Sequence, residues 1–292
     1  MSHADMVLVE ALRLQWEWGA EEALLDAPQD RRHAAAPAAP VTPAQRASTA
    51  PPEHAGAAPP QHAGAAPPQR PRARAPSMPA GPAEAAQIAA RCQSLETLQA
   101  AMASFTGCAL RDTATQLVFA DGAADAGLMI IGEAPGAEED RAGKPFVGPA
   151  GQLLDRMLGS IGLDRRQARI ANVVPWRPPG NRTPTEAEIA LCLPFLHRQI
   201  ALIRPRGLLL LGAVAAKALL APPERDLGIS RLRGTWRQIN IEGLDSAVPA
   251  LPSFHPAYLL RMPTAKAQAW RDLLALREWV ESADHKANIT TM

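Results

Sequence analysis

The C-terminal two thirds of the chain alternate between short apolar runs and longer stretches with helical spacing. Apolar runs bounded by turn residues predict buried strands, and they fall at residues 128–131, 169–174, 207–211 and 248–253. Apolar residues at intervals of three and four predict helices at residues 87–103, 151–162, 213–220 and 264–280. Strands that alternate with helices predict an α/β fold, in which helices cover both faces of a parallel sheet.

A further helix is predicted from its start signal. Thr183 precedes a proline, and Glu186 follows three residues after Thr183, which predicts a capping box with proline at the first helical position. We expect this helix to run towards Ile203, with a kink at Pro194. An additional strand is predicted at residues 235–241.

The N-terminal part of the chain has a different pattern. Residues 1–28 repeat apolar side chains every four positions and predict an amphipathic helical segment, a candidate for binding a protein partner. Residues 29–85 are rich in alanine and proline and have almost no large apolar side chains, so we expect a disordered linker. The globular domain is therefore predicted at residues 86–283, followed by a tail at residues 284–292.

Composition and charge narrow the function classes. The formal net charge of +1 argues against a strongly basic coat for nucleic acid but permits a local basic strip. Three cysteines without a CxxC pair do not indicate a disulfide framework. No run has the length of a membrane span, and the N-terminus lacks the features of a secretory signal. We therefore expect a cytoplasmic protein without membrane contact. We also expect the protein to be a monomer.

Candidate chemistry lies in the loops that follow the strands, because ligands of parallel sheets bind at the carboxyl ends of strands. In the first loop Gly132, Pro135 and Gly136 predict a tight turn whose backbone N–H groups can approach a ligand. The loop lacks the GxGxxG and GK[ST] patterns of nucleotide-phosphate sites. Glu133 directly follows the strand, and we favour a functional carboxylate over a solvated loop acid. The acids at residues 138–140 are weaker candidates.

Three other residues have both a structural and a functional interpretation. Phe146 is either a core residue or a flat stacking surface beside a ligand. Asn172 lies in a predicted strand, where its amide either forms a structural hydrogen bond or pairs with a planar amide such as a nucleobase edge. His255 follows the fourth strand and is a candidate acid or hydrogen-bond donor. His197 lies in a predicted helix and is more typical of a structural histidine.

The segment after His255 combines apolar side chains with a basic one. Tyr258, Leu259 and Leu260 fall on a predicted loop and are followed by Arg261. Apolar residues beside an arginine suit a wedge between stacked bases, with the arginine on a phosphate. The alternative is simple hydrophobic packing at the start of a helix.

Residues 132–158, 172–200 and 253–261 together resemble the uracil-DNA glycosylase superfamily, in particular its family 4 bacterial and archaeal type. The resemblance extends from about Phe105 to Val280. It implies a three-layer α/β/α sandwich with a central four-stranded parallel sheet. It also implies an enzyme of base-excision repair, which flips uracil out of DNA and hydrolyses its N-glycosidic bond to leave an abasic site.

The resemblance assigns roles to the loop residues, with uracil-containing DNA as the partner. Glu133 would polarise the attacking water and stabilise the sugar cation, and His255 would donate to the leaving base. Leu259 or Leu260 would fill the vacated stack, with Arg261 near the DNA backbone. The residues implied to contact uracil are Gly132, Ala134, Pro135, Gly136, Phe146 and Asn172. An alternative from another class is a catalytically weak uracil- or abasic-DNA binding protein that recruits partners through its N-terminal tail.

Family 4 members typically bind a [4Fe–4S] cluster through four cysteines, and this sequence departs from that pattern. The resemblance places Phe105 and Trp176 at two of the ligand positions and Cys108 and Cys192 at the other two. Because such clusters are normally held by four thiolates, we predict that this protein binds no cluster. We expect the two aromatic rings to fill the space and to pack edge to face with each other. The alternative metal site would be a zinc site formed by Cys92, Cys108, Cys192 and His197.

Overall fold

A computed structural model describes the backbone of residues 81–290 and the side chains of residues 81–282. The predicted N-terminal helical segment and linker lie outside the described residues. The strands are β1 Asp121–Gly122, β2 Leu128–Gly132, β3 Ala168–Asn172, β4 Gly207–Leu211, β5 Arg237–Ile239 and β6 Val248–Ser253. The α-helices are α1 Pro82–Arg91, α2 Leu95–Ser104, α3 Leu110–Thr113, α4 Ala137–Ala142, α5 Pro149–Gly159, α6 Glu186–Ile203, α7 Ala213–Leu219, α8 Ile229–Leu232, α9 Pro256–Arg261 and α10 Lys266–Thr290.

The strands form one sheet in the order β1-β3-β2-β4-β6-β5. The four central strands are parallel, because β3 pairs with β2, β2 with β4, and β4 with β6 in that sense. This confirms the predicted four-stranded parallel sheet. The short strands β1 and β5 add antiparallel edges. A two-residue strand such as β1 carries no periodic signal, whereas β5 lies within the additional strand predicted at residues 235–241.

Both faces of the sheet are buried, as the continuous apolar character of its strands predicts. Successive side chains of a strand point to opposite faces. In β2, Met129 and Ile131 therefore join one core cluster, while Leu128 and Ile130 join the other. Helices α1, α2, α6 and α7 contribute to the first cluster, and α5, α9 and α10 contribute to the second. The result is the predicted α/β/α sandwich, with the carboxyl ends of four parallel strands at one edge.

The helix predicted at residues 87–103 is in fact two helices. Helix α1 ends at Arg91, and α2 begins after Ser94. The Ser94 hydroxyl accepts a hydrogen bond from the Thr97 N–H at 3.2 Å, and the Thr97 hydroxyl accepts one from the Ser94 N–H at 3.1 Å. This reciprocal capping box starts a new helix. Apolar spacing continues across the break and does not reveal it.

Two other helix boundaries differ from the prediction. The N-cap of α6 is Thr185, whose hydroxyl accepts a hydrogen bond from the Glu188 N–H at 3.3 Å, so Thr183 is free for another role. Pro194 is accommodated within α6. The last helix continues past the predicted end at Val280 to Thr290 and so includes part of the predicted tail.

None of the helices among the described residues is long and apolar enough to cross a membrane.

Three aromatic side chains fill the part of the core that joins α2 to α6. Phe105, Trp176 and Phe195 are all buried in the same cluster. The rings of Phe105 and Phe195 meet edge to face, with 5.1 Å between their centroids. The edge-to-face partner of Phe105 is therefore Phe195 of α6, whereas the prediction paired it with Trp176, which packs as a separate member of the cluster.

Removal of the Trp176 ring should destabilise the protein strongly. The side chain is 1% exposed, so Trp176→Ala should lower the free energy of unfolding by about 3–5 kcal/mol, through lost burial and the cavity left behind. Urea unfolding monitored by circular dichroism measures this change. Leu274→Ala is the matched control at an exposed apolar position and should change the free energy by less than about 0.5 kcal/mol. Equal losses for both variants would contradict a core role for Trp176.

Candidate functional site

A cleft of about 380 Å³ opens at the carboxyl ends of the parallel strands. It brings together the three loops that the sequence singled out. The predicted residues that line it are Glu133, Ala134, Pro135, Gly136, Phe146, Asn172, His255 and Arg261. The cleft is also lined by Glu139, one of the weaker candidates, by Thr183, the predicted helix cap, and by residues that the sequence had not indicated, among them Ala150, Asn181 and Arg182.

Gly132 sets the spacing at the base of the cleft. It is the last residue of β2 and lies opposite Asn172 in the pairing of β2 with β3. A Cβ atom on Gly132 would lie 2.5 Å from the Asn172 amide oxygen and 2.6 Å from the Phe146 ring. Only glycine permits this approach, so Gly132 supports the site as a spacer behind the two side chains.

The loop that carries Phe146 is held by two charged side chains. The Glu139 carboxylate accepts hydrogen bonds from the N–H groups of Gly136, Val147 and Gly148 at 2.8–3.1 Å. Glu139 therefore joins the tight turn after β2 to the Phe146 loop. The Arg165 guanidinium donates to the Phe146 carbonyl at 2.8 Å. Phe146 has a positive φ of 55°, a backbone conformation that needs such support.

Glu133 is half-buried in the cleft. Burial raises the pKa of its carboxyl group, while a hydrogen bond from the Thr183 side chain and the charge of Arg261 lower it. Thr183, released from the helix cap, thus approaches the carboxylate from the second loop. Glu133 is therefore a half-buried carboxylate near the charge of Arg261, a setting in which charge interactions are stronger than in water.

His255 is held in one orientation by its position before α9. Its Nδ1 atom accepts a hydrogen bond from the Ala257 N–H at 3.1 Å, so the proton of the neutral ring resides on Nε2. Burial, together with the charge of Arg261, lowers the pKa of His255 to about 4. The ring is therefore neutral at pH 7. It stacks on Phe146 with 5.4 Å between the ring centroids.

A buried ion pair fixes the strand end that leads into His255. The Ser253 hydroxyl donates to the Asp272 carboxylate at 2.6 Å, and Arg233 donates to the same carboxylate from the other side. Burial raises the pKa of Asp272, and the hydrogen bond from Ser253 and the charge of Arg233 oppose that shift. The guanidinium also lies over the Phe254 ring at 5.4 Å. No local pattern in the sequence predicts this network.

The two leucines proposed as a wedge have different environments. Leu259 is fully buried and packs in the second core cluster, which does not suit insertion into DNA. Leu260 is 42% exposed, and the neighbouring Tyr258 and Met262 are also exposed. The two leucines differ in exposure because they are adjacent residues of α9, and adjacent residues on a helix point in different directions. Of the two, only Leu260 has the exposure that a wedge requires.

Comparison of the sequence with protein-family models identifies a known family. Residues 119–274 match the model of the uracil DNA glycosylase superfamily. The matched span contains all three loops of the cleft. This chain belongs to that superfamily.

Several named proteins are similar to this chain. The type-4 uracil-DNA glycosylase of Pyrobaculum aerophilum is 41% identical over 57% of this chain and 84% of its own length. That of Archaeoglobus fulgidus is 36% identical over 64% of this chain and 93% of its own length. A type-5 uracil-DNA glycosylase of Pyrobaculum aerophilum is also similar, at 32% identity over a shorter span of 33% of this chain and 49% of its own length.

The residues that the resemblance places at the cluster positions do not fit a four-thiolate cluster. Phe105 and Trp176 are buried rings without metal-binding atoms. The interaction with Cys192 lowers the pKa of the Cys108 thiol to about 7, and the interaction with Cys108 together with burial raises the pKa of the Cys192 thiol. Among the described residues, no three His, Cys, Asp or Glu side chains lie together as a metal site would need. The proposed zinc ligands therefore do not converge, and the absence of a bound cluster stays a prediction.

Proposed function

We propose that this protein is a uracil-DNA glycosylase that removes uracil from DNA by hydrolysis of the N-glycosidic bond and leaves an abasic site in an uncut strand. The observation that carries the proposal is the convergence of Glu133, Asn172 and His255 on one cleft, beside the Phe146 ring. Relatives that are 36% and 41% identical to this chain carry the name type-4 uracil-DNA glycosylase. No contact in the cleft favours the alternative of a catalytically weak binding protein.

The reaction develops opposite charges at two places on the substrate, and the protein has to stabilise both. Cleavage of the bond gives an oxocarbenium-like sugar and a uracil anion, as in other glycosyl transfers. The half-buried carboxylate of Glu133 suits the cation and a water that attacks it. The neutral His255 ring suits the anion, because its Nε2 proton can be donated to the base oxygen as negative charge develops.

Recognition of the base uses the other two side chains. A base flipped into the cleft would stack on Phe146 and present its edge to the amide of Asn172. The amide can donate to one uracil atom and accept from the N3–H. Cytosine presents the reversed pattern of donor and acceptor on that edge, so the pairing excludes it. The supports from Glu139 and Gly132 keep both groups in place.

The direct test is an excision assay. The full-length protein is incubated with an oligonucleotide containing one uracil, single- or double-stranded, and the product is then treated with alkali. We expect strand cleavage at the uracil only after alkali, and none with thymine at that position. An intact uracil strand in both forms would refute the proposal. Cleavage without alkali would show that the enzyme also cuts the backbone.

The rate of excision should fall at acidic pH in two steps. Glu133 acts as a carboxylate, and burial raises its pKa, so activity should decline at a higher pH than for an exposed glutamate. His255 gains a proton only near its lowered pKa of about 4, which adds a second loss. The profile of kcat/KM from about pH 4 to about pH 8 measures both steps. Glu133→Gln should abolish the upper step, and its persistence in that variant would assign it to another group.

Leu260 should contribute to excision from double-stranded DNA. It is the exposed leucine of α9, and a wedge of this kind offsets part of the unstacking energy of the flipped base. We expect Leu260→Ala to lower kcat/KM about tenfold on duplex DNA, which corresponds to about 1.4 kcal/mol, and less on single strands. Leu274→Ala provides the control at an exposed leucine outside the cleft. Equal effects on the two kinds of substrate would contradict a wedge.

A further inference from the structure

The Phe146 loop is held by an arginine that lies outside the cleft. Arg165 is in the turn between α5 and β3, and the described residues that line the cleft include Phe146 but not Arg165. Its Nη2 atom donates to the Phe146 carbonyl at 2.8 Å and lies 3.5 Å from the Pro145 carbonyl oxygen. The arginine therefore holds the backbone of Phe146 and not its ring.

Two carboxylates fix the position of this guanidinium. Its Nη1 atom lies 3.2 Å from a carboxylate oxygen of Asp121 in β1, and its Nε atom lies 3.1 Å from one of Asp155 in α5. The Lys144 ammonium lies 3.9 Å from the other oxygen of Asp121. Each guanidinium nitrogen thus faces an oxygen atom from a different segment of the chain, which suits the planar fork of an arginine.

The backbone of Phe146 needs such support. Its positive φ of 55° is a conformation that a bulky residue keeps only when its surroundings fix it. A Cβ atom on Gly151 of α5 would lie 1.9 Å from the Phe146 carbonyl oxygen, so the helix backbone closes one side of this carbonyl. Arg165 supplies the hydrogen bond to the same oxygen. Loss of the arginine should therefore let Phe146 relax and shift its ring.

We propose that Arg165 is a positioning residue for the uracil base and acts through the Phe146 ring. The inference rests on the proposed function, because it concerns the base that the cleft would bind. The Phe146 and His255 rings are stacked with 5.4 Å between their centroids, so the position of one ring sets the space beside the other. A misplacement of about 1 Å at a reacting site is enough to lower the rate strongly.

The alternative is an ion-pair cluster that only stabilises the fold. The side chains of Arg165, Asp121 and Asp155 are all partly exposed, and ion pairs with such exposure contribute little to stability. The two interpretations also differ in their consequences. A positioning residue affects binding of the base selectively, whereas a purely stabilising one affects every property of the protein through the folded fraction.

The test compares two duplexes that differ in the presence of the base. One contains 2′-fluoro-2′-deoxyuridine, which resists hydrolysis because fluorine destabilises the sugar cation, and the other contains a tetrahydrofuran abasic analogue. Full-length Arg165→Ala should bind the first duplex about tenfold more weakly than the wild type, because a charge-assisted hydrogen bond to the loop is lost. Its affinity for the abasic duplex should stay unchanged, and kcat/KM for uracil excision should fall with the first affinity.

The neighbouring arginine provides the matched control. The exposed Arg166 guanidinium pairs with Asp164 at 2.8 Å, so Arg166→Ala removes the same charge one position away and should leave both affinities unchanged. A double-mutant cycle shows whether Arg165 acts through the ring. In a Phe146→Ala background, Arg165→Ala should cause no further loss of affinity for the uracil duplex.

Several outcomes would overturn the role of Arg165. They are wild-type behaviour of Arg165→Ala, equal weakening on both duplexes, and a full effect of Arg165→Ala in the Phe146→Ala background. If Arg165→Ala does not fold, Asp155→Asn decides the question, because it removes one anchor and should weaken binding of the uracil duplex alone by about threefold. Unchanged affinity in Asp155→Asn would then contradict the proposal. An inactive wild type would instead refute the proposed function itself.

Discussion

Replacement of Glu133 by glutamine should lower the rate of uracil excision by about 100- to 1,000-fold, because one preorganised charge at the reacting centre contributes about that much. Glutamine keeps the size and the ability to contact Thr183 and Arg261, but it carries no charge to stabilise the sugar cation. Single-turnover kinetics with a uracil-containing duplex measure the chemical step. DNA affinity, measured separately by fluorescence anisotropy, should change little.

The control for this prediction lies in the same loop. Glu138 is exposed, so Glu138→Gln removes the same charge a few residues away. It should leave the rate within about twofold of the wild type, as expected for a solvated charge. Similar rate losses in both variants would show that the general negative potential of the loop matters, and that Glu133 has no special position.

Replacement of Asn172 by aspartate should lower uracil excision by more than about 100-fold, because a buried polar site discriminates strongly against a mismatched hydrogen-bonding partner. A carboxylate offers only acceptors, and it would face both the base oxygen and the nearby Glu133. The loss should appear as weaker recognition of the flipped base. An assay with uracil and with cytosine in the same sequence context measures both activity and preference.

Two further variants isolate the recognition role of Asn172. Asn240→Asp makes the same chemical change at an exposed position in the described part of the chain and should be silent. Asn172→Ala removes the amide without adding charge and should also lower excision. Wild-type rates for Asn172→Ala would mean that the aspartate acts through repulsion alone and that the amide does not read the base.

The sheet and much of the cleft can be predicted from the sequence because buried parallel strands have a clear pattern. Buried parallel strands are nearly continuous apolar runs, so β2 and β4 stand out from their surroundings. The residue that follows such a strand is at the ligand edge, and this makes Glu133 and His255 visible without any structure. Asn172 is visible because an amide inside an apolar strand needs a partner.

Other features depend on contacts or orientations that no sequence pattern predicts. Glu139 is one acid in a run of three, and only the fold shows that its carboxylate joins two loops. Asp272 and Ser253 are far apart in sequence, and neither has a local pattern that predicts their hydrogen bond. The difference between Leu259 and Leu260 is a matter of helix phase at α9, which a six-residue helix is too short to reveal by periodicity.

The close approach at Gly132 limits how the base preference of this protein can evolve. A single methyl group there would collide with Asn172 and Phe146, so the floor of the pocket cannot be remodelled in small mutational steps. The walls of the pocket tolerate substitution more readily, because Ala134 and Ala150 line the cleft with small side chains that larger ones can replace. Natural or laboratory selection for a different damaged base should therefore change the walls first and leave the floor as glycine.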